Sequence, residues 1–211
     1  MRHLRTLLIG ILFTILLISI GVIVTINFRP LYYYDINHLQ IEETSGYSKE
    51  EIRTNYDALI EYCSPFYTGD LQFPTLPSST EARIHFEEVK VIFVAFYYMA
   101  VFCLILLIPI MLCQWKRKDY QYLITSGWTA ILLPCLLAIV CFLNFDRTFE
   151  LFHEIVFRND YWLFYPETDP IITMLPESFF LHCTILIIGI VIVGSLTLIL
   201  IGNYLKKRRT R

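Results

Sequence analysis

Long apolar stretches dominate the chain and are separated by short polar or charged ones. Four of them are long enough to cross a bilayer as helices, because a hydrocarbon core of about 30 Å needs about 20 residues at about 1.5 Å rise each. They cover residues 7–28, 91–113, 122–145 and 179–205. The first exceeds the roughly 7–15 apolar residues of a secretory signal peptide, so we interpret it as a retained helix. The pattern predicts a mainly α-helical membrane protein with a bundle of four transmembrane helices.

Basic residues cluster at one set of helix ends. Arg2 and Arg5 precede the first span, and basic residues occur in loop 114–121. The last six residues of the chain, KKRRTR, follow the fourth span. Because basic segments resist translocation, we expect both termini and this loop to be cytoplasmic. The predicted order is a first helix at 1–28, an extracellular subdomain at 29–90, the second and third helices at 91–145, an extracellular loop at 146–178, and the fourth helix with a basic tail at 179–211.

Composition agrees with this class of protein and excludes others. Hydrophobic residues make up 56% of the chain, and 17 basic against 19 acidic residues give a net charge of -2. Although the net charge is small, the predicted cytoplasmic side is basic. This favours contact with membrane lipids, and we predict no binding of nucleic acid. Five of the six cysteines fall in or beside the spans, and Cys63 alone lies outside, so we infer no disulfide framework.

The first extracellular segment has the composition of a folded subdomain. Ser48 and Glu51 form a capping box that predicts a helix over 48–63. Aromatic and branched residues at 29–43 predict one or two short strands, and the prolines of 73–79 predict a loop. We therefore expect a small α(+β) subdomain, followed by a helix that is capped by Ser79 or Thr80 and continues into the second span.

Three histidines fall near the outer ends of the predicted helices: His85, His153 and His182. For His153 this assumes that the third helix continues through residues 146–157. General acid/base catalysis needs a histidine oriented by a carboxylate or carbonyl. Glu81 and Glu88 lie at helical spacing from His85, and Glu150 lies at helical spacing from His153. The pattern indicates a shared acid/base site, with solvated histidines at helix ends as the alternative.

Other catalytic chemistry has less support in the sequence. No G-x-S-x-G motif occurs, and Cys63 has no basic neighbour in sequence that would activate its thiol. The stretch HEIVF, residues 153–157, has phenylalanine where the zinc motif H-E-x-x-H needs its second histidine. A metal site formed by His85, His153 and a carboxylate stays open as an alternative. We predict no bound metal and no cofactor.

Two stretches, RIHFEEVK at 83–90 and FHEIVFRNDYWLFYPETDPIITMLPESFF at 152–180, carry a resemblance to a known family. Together with the four spans, they resemble the bacterial integral membrane family of lipoprotein intramolecular transacylase (Lit) over nearly the whole chain. The segments NYDALIEY and FPTL are also similar to the family's outer segment. The most specific positions are His85, Phe86, His153, Phe157, Asn159, Trp162, Phe164, Asp169, Pro176 and Phe179.

The resemblance implies an enzyme of the bacterial cell membrane with its active site on the extracellular side. Such an enzyme moves the sn-2 acyl chain of a diacylglyceryl-modified lipoprotein from the S-diacylglyceryl cysteine to the α-amino group of that cysteine. The resemblance implies that His85 and His153 are the catalytic pair. We expect one histidine of the pair, with His153 preferred over His85, to deprotonate the amine and the other to stabilise or protonate the ester oxygens.

Several polar residues that follow His153 are candidates for supporting roles in this reaction. Arg158, Asn159 or Trp162 would donate to the oxyanion, as donors do in acyl transfer. Asp160 and Asp169 would orient the histidines or the substrate. Two other functions remain as alternatives, namely a non-enzymatic membrane sensor or assembly factor and a metal-dependent membrane lipid hydrolase.

Overall fold

The computed structural model describes residues 2–209, and it describes the side chains of these except at positions 2, 3, 133, 137, 140 and 142. Residue 1 of the predicted first segment and residues 210 and 211 of the predicted basic tail lie outside the described part. The described residues form helices and no strand. The helices are α1 (Arg2–Asn27), α2 (Arg29–His38), α3 (Ile41–Ser45), α4 (Lys49–Tyr62), α5 (Thr80–Lys116), α6 (Gln121–Leu143), α7 (Phe145–Phe157), α8 (Ile171–Met174) and α9 (Glu177–Arg209).

Three helices of the described part are long and apolar enough to cross a membrane. They are Leu4–Asn27 within α1, the whole of α5 and the whole of α9. The predicted first, second and fourth spans are therefore confirmed as helices of this kind. Helix α6 occupies the place of the third predicted span, and its crossing of the membrane stays a prediction.

Two compact units make up the chain. The first contains Met1–Ile23, Phe96–Leu143 and Ile185–Arg211, and the second contains Val24–Ala95 and Asn144–Thr184. In the first unit, α1, α5 and α6 share a buried core, and Leu198 and Leu205 of α9 pack against it. Gly127 lets α6 approach α9 closely, because an added Cβ would lie 2.6 Å from the Ser195 carbonyl oxygen. Small residues commonly permit such close packing of membrane helices.

The second unit has its own core, which is built largely from aromatic rings. The Tyr32 ring stacks on Tyr56 with 3.7 Å between centroids and meets the edge of Phe179 at 5.0 Å. The Tyr32 hydroxyl donates to the Met174 carbonyl over 2.7 Å, so the buried phenol is not left without a partner. This core joins α2, α4, α8 and the start of α9, which are four parts of the chain distant in sequence.

The predicted strands at 29–43 are wrong, because α2 and α3 occupy this segment. Tyr32, Asp35 and Ile36 are the buried residues of α2, and their spacing is that of one helix face. Pro30 lies in the first turn, where its missing N–H costs no helical hydrogen bond. The aromatic and branched residues that favour strands were outweighed by burial at helical spacing.

The predicted helix starts at Ser48 and at Ser79 are confirmed. The Ser48 hydroxyl accepts from the Glu51 backbone N–H over 3.3 Å, and the Ser48 N–H donates to the Glu51 carboxylate over 3.1 Å. This is the predicted capping box, and it begins α4. The Ser79 hydroxyl accepts from the Ala82 N–H over 3.0 Å, which begins α5. Residues 73–79 form the predicted loop.

Candidate active site

His85 lies in the second turn of α5 and is 6% exposed. Two aromatic rings enclose its imidazole: Phe157 lies 4.5 Å away and Phe164 lies 5.5 Å away between ring centroids, both edge-on. The Nδ1 atom of His85 is buried and has no hydrogen-bond partner among the described residues. His85 is therefore held by ring packing, and this nitrogen remains available for a hydrogen bond with substrate.

His153 lies on α7, which begins anew after α6 and does not continue it. Asn144 stops the preceding helix and caps α7, because its side-chain oxygen accepts from the Arg147 N–H over 2.9 Å. The expectation of one continuous helix into residues 146–157 is therefore wrong. Arg158 ends α7 with a left-handed backbone at φ 55°. The short separate helix presents His153 and Phe157 on its buried face.

The hydrogen bond made by His153 identifies which ring nitrogen is free. Its Nδ1 lies 2.8 Å from the Phe149 carbonyl oxygen, and since a carbonyl only accepts, Nδ1 carries the proton. The lone pair of a neutral His153 is then on Nε2. Burial lowers the pKa of His153 below its ordinary value, and the bond to Phe149 opposes that change. A neutral imidazole with a free lone pair is the form that a general base requires.

The two histidines face each other in the second unit. Their ring centroids are 5.9 Å apart, and Phe157 contacts both rings, at 4.5 Å from His85 and 5.4 Å from His153. His182, the third histidine of the predicted set, has a different partner. Its Nδ1 lies 2.9 Å from both oxygens of Asp35, which is fully buried. The structure therefore pairs His85 with His153 and gives His182 a contact with α2.

Trp162 contacts His153, and Asn159 contacts Glu88 on α5; the oxyanion role predicted for each stays a prediction. The Trp162 ring lies 5.0 Å from the His153 ring, and its buried Nε1 has no hydrogen-bond partner among the described residues. Asn159 Nδ2 donates to Glu88 Oε1 over 2.9 Å. An N–H without a partner beside the histidine pair is suited to bind an oxyanion.

The other predicted supporting residues are Arg158, Asp160 and Asp169, and their roles stay predictions. Arg158 and Asp160 are exposed. Asp169 is 3% exposed and accepts from the Ser79 N–H and from the Thr168 hydroxyl, each over 2.7 Å. Its carboxylate therefore stabilises the chain just before α5 begins. Among the described residues, Asp169 has no contact with His85 or His153.

Glu150, which was expected to orient His153, is engaged otherwise. Glu150 pairs with Arg147 over 3.0 Å, and the Phe149 carbonyl takes the role expected of Glu150. Sequence reasoning also missed Phe157 as the ring shared by both histidines, although its i+4 spacing from His153 was a usable signal. In the described part of the chain, no group of three or more His, Cys, Asp or Glu residues is placed to hold a metal ion.

Comparison with known proteins gives one consistent family. The family model of lipoprotein intramolecular transacylase Lit matches residues 7–180. A structure of the membrane integral lipoprotein intramolecular transacylase Lit from Bacillus cereus is 37% identical, covers 99% of this chain and 98% of that one, and has a TM-score of 0.95. A structure of the Bacillus cereus protein with an H85A mutation is 36% identical, covers 99% and 96% of the two chains, and has a TM-score of 0.90.

A curated relative from Aquifex aeolicus, described as an uncharacterized protein, is 32% identical over 103 residues. The match covers 49% of this chain and 46% of that relative, so it spans about half the length of the relative. The family model covers most of the chain, and the Bacillus cereus structure matches nearly all of it. The chain belongs to the lipoprotein intramolecular transacylase (Lit) family.

Proposed function

We propose that this protein is a lipoprotein intramolecular transacylase. It moves the sn-2 acyl chain of a lipoprotein's S-diacylglyceryl cysteine onto the α-amino group of the same cysteine, and the product is a lyso-form lipoprotein. The observation that carries the proposal is the buried pair of His85 and His153, with ring centroids 5.9 Å apart, in a chain of the Lit family. The substrate's own amine is the nucleophile, so the enzyme needs bases and no serine or cysteine nucleophile.

His153 is the general base. The Phe149 carbonyl holds its Nδ1–H, so Nε2 points its lone pair away from that bond. An α-amino group has a reference pKa of roughly 7.7–8.0, above that of a histidine, so the transfer to His153 becomes favourable as the C–N bond forms and the nitrogen becomes more acidic. His153 takes a proton from the nitrogen as the nitrogen attacks the ester carbonyl.

Attack forms the new C–N bond and places a negative charge on the former carbonyl oxygen. The unpartnered Nε1–H of Trp162 donates to this oxyanion. Collapse of the tetrahedral intermediate breaks the C–O bond to the sn-2 oxygen of the glycerol. The proton that His153 took from nitrogen is returned to that oxygen, which leaves as a hydroxyl group. His85 donates a hydrogen bond to the ester oxygens during these steps, and both histidines end as they began.

Two physical effects favour acyl transfer at this site. Amine and ester belong to one molecule, and well-oriented intramolecular reactions reach effective molarities of about 10⁵ M or more. The rings of Phe157, Phe164 and Trp162 surround the histidines and exclude water, which would otherwise compete for the acyl group. The exposed apolar side chains of α7, including Phe152 and Ile155, offer a surface for acyl chains beside His153.

The proposed topology places the site where lipoproteins are anchored. The four spans are those of α1, α5, α6 and α9, and both termini are cytoplasmic, because basic residues form the last turn of α9 and lie between α5 and α6. The histidine pair then lies on the extracellular side of a bacterial cell membrane. Diacylglyceryl-modified lipoproteins and membrane lipids are its partners.

The test is expression of this protein in a bacterium that lacks N-acylated lipoproteins, with mass spectrometry of a lipoprotein's N-terminal peptide. We expect an N-acyl, S-monoacylglyceryl peptide with the native protein and none with the His85→Ala, His153→Ala double variant. His38→Ala, which changes an exposed histidine, is the matched control and should retain the product. Absence of the lyso-form with the native protein would contradict the function. Its persistence in the double variant would contradict the histidine mechanism.

A further inference from the structure

Only one of the two carboxylate oxygens of Glu88 has a hydrogen-bond partner among the described residues. It lies three residues after His85 on α5, and its Oε1 accepts from Asn159 Nδ2 over 2.9 Å. Its Oε2 is buried and has no hydrogen-bond partner among the described residues. Asn159 therefore fixes the carboxylate in position and leaves one oxygen shielded from water and unused.

A buried oxygen without a hydrogen-bond partner lowers the stability of the folded protein. A buried carboxylate oxygen without a donor loses its hydration and gains no hydrogen bond in return, so buried polar atoms in native proteins are nearly always paired. A solvated glutamate on a helix surface would have both oxygens in water, which is not the case for Oε2. The arrangement indicates that a donor arrives from another molecule.

That donor is not the neighbouring histidine. Spacing of i, i+3 would allow Glu88 to orient His85, as the sequence suggested. However, Nδ1 of His85 and Oε2 of Glu88 are each without a hydrogen-bond partner among the described residues, so they do not bond to each other. Glu88 therefore has its free oxygen on the same side of α5 as His85, since residues at this spacing have Cβ atoms about 5–6 Å apart.

We propose that Glu88 binds the α-ammonium group of the substrate's N-terminal cysteine through Oε2. This inference rests on the proposed function. At neutral pH most α-amino groups are protonated, since their reference pKa is roughly 7.7–8.0, and an ammonium has three donors and a positive charge. A fixed carboxylate matches both properties, because a charge-assisted hydrogen bond is about twice as strong as a neutral one.

The consequence is selection for a free, charged amine. One N–H of the ammonium donates to Glu88. The ammonium first loses one proton to solvent through His153, and His153 then takes a second proton as the nitrogen attacks the ester and returns it to the leaving sn-2 oxygen. The nitrogen stays hydrogen-bonded to Glu88 during this transfer, so its new lone pair is held close to the reacting ester. Asn159, which the sequence marked as a candidate oxyanion donor, has instead the role of positioning Glu88 through the 2.9 Å bond.

The experiment measures KM and kcat of the purified full-length protein in detergent, from acidic to alkaline pH, with a synthetic diacylglyceryl-cysteine lipopeptide. Glu88→Gln keeps the shape and an acceptor for Asn159 but removes the charge. Below neutral pH we expect KM to rise about 10- to 100-fold, the usual worth of a hydrogen bond to a charged group. The increase should shrink above pH roughly 8, where the amine is neutral. Glu87→Gln, an exposed neighbour, is the matched control and should leave KM unchanged.

A second measurement uses the native protein and does not depend on the folding of a variant. Two unreactive ether-linked lipopeptides, one with an α-amino group and the other with an α-hydroxyl group, are compared as inhibitors. The amino compound should inhibit about 10-fold more strongly below neutral pH, and this preference should fall as the amine loses its charge. Equal inhibition by the two compounds at every pH would overturn the proposal.

The outcomes also separate this proposal from the function itself. If the native protein forms no lyso-form lipopeptide, the proposed function fails. If the native protein is active and Glu88→Gln has an unchanged KM, only the role of Glu88 fails. A loss that is equal at every pH and accompanied by a lower unfolding temperature would mean that Glu88 merely supports Asn159, which also contradicts ammonium binding.

Discussion

Replacing Trp162 by phenylalanine separates the oxyanion role of this residue from its packing role. The change removes the indole N–H but keeps an aromatic ring against His153, whose centroid lies 5.0 Å from the Trp162 ring. In the resting protein Nε1 has no hydrogen-bond partner among the described residues, so the substitution breaks no hydrogen bond. It even removes a buried unpaired donor, which costs about 1–3 kcal/mol in a folded protein.

The expected stability change is therefore small. The smaller ring leaves a void whose cost is of the same order as the relieved penalty, about 1–3 kcal/mol, so the two nearly cancel. The catalytic rate should change more than the stability, because the indole N–H acts as a donor when the oxyanion forms. Loss of one oxyanion donor typically raises the barrier by about 2.7–4 kcal/mol, so we expect kcat to fall about 10²- to 10³-fold with little change in KM.

The assay combines single-turnover formation of the lyso-form lipopeptide, followed by mass spectrometry, with thermal unfolding in the same detergent. Trp128→Phe is the matched control, since Trp128 is 63% exposed on α6 and far in sequence from the histidine pair. The reasoning is refuted if Trp162→Phe reacts at the native rate. It is also refuted if the unfolding temperature falls and the lower rate is explained by the smaller fraction of folded protein.

Two further predictions concern protonation and the start of α5. Because burial lowers the pKa of His153, its neutral form persists on acidification through pH about 6.5. The imidazole NMR signal of His153 in the substrate-free protein should therefore titrate only below that pH, and titration at or above it would contradict the burial argument. Asp169→Ala leaves the Ser79 N–H without its 2.7 Å acceptor. We expect a loss of about 1–3 kcal/mol in the free energy of unfolding, measured by denaturation in detergent, whereas the exposed Asp160→Ala should have no effect.

Local signals predicted the features that depend on neighbours in sequence. The capping box of Ser48 and Glu51 begins α4 as expected, because both partners lie within one helical turn. The segment at 29–43 contradicted the prediction of strands, because Tyr32 is buried against Tyr56 of α4 and Phe179 of α9 by contacts that no local rule contains. Asn144 interrupts the helix expected to reach His153, which shows that a single capping side chain decides where α7 begins.

The histidines themselves were recognisable from the sequence, and their environment was not. Residue type and position near helix ends indicated His85 and His153, and the resemblance to a family singled out the pair. That His182 instead contacts Asp35 follows from packing of residues 147 positions apart in the chain. The same holds for the bond of Asn159 to Glu88, which joins residues 71 positions apart and leaves one buried oxygen unpaired.

The sequence by itself determined that the chain is a helical membrane protein and indicated histidines as candidates for its chemistry. The length of an apolar segment, the basic residues beside it and the capping residues of a helix act locally or through the membrane. They can therefore be recognised without knowledge of the tertiary structure. Only the tertiary structure decided which polar atoms are buried without a hydrogen-bond partner in the described part of the chain, among them Trp162 Nε1 beside His153 and Glu88 Oε2 on α5. Burial and pairing depend on residues distant in sequence, and the free energy of an unsatisfied group exists only once those residues have packed around it.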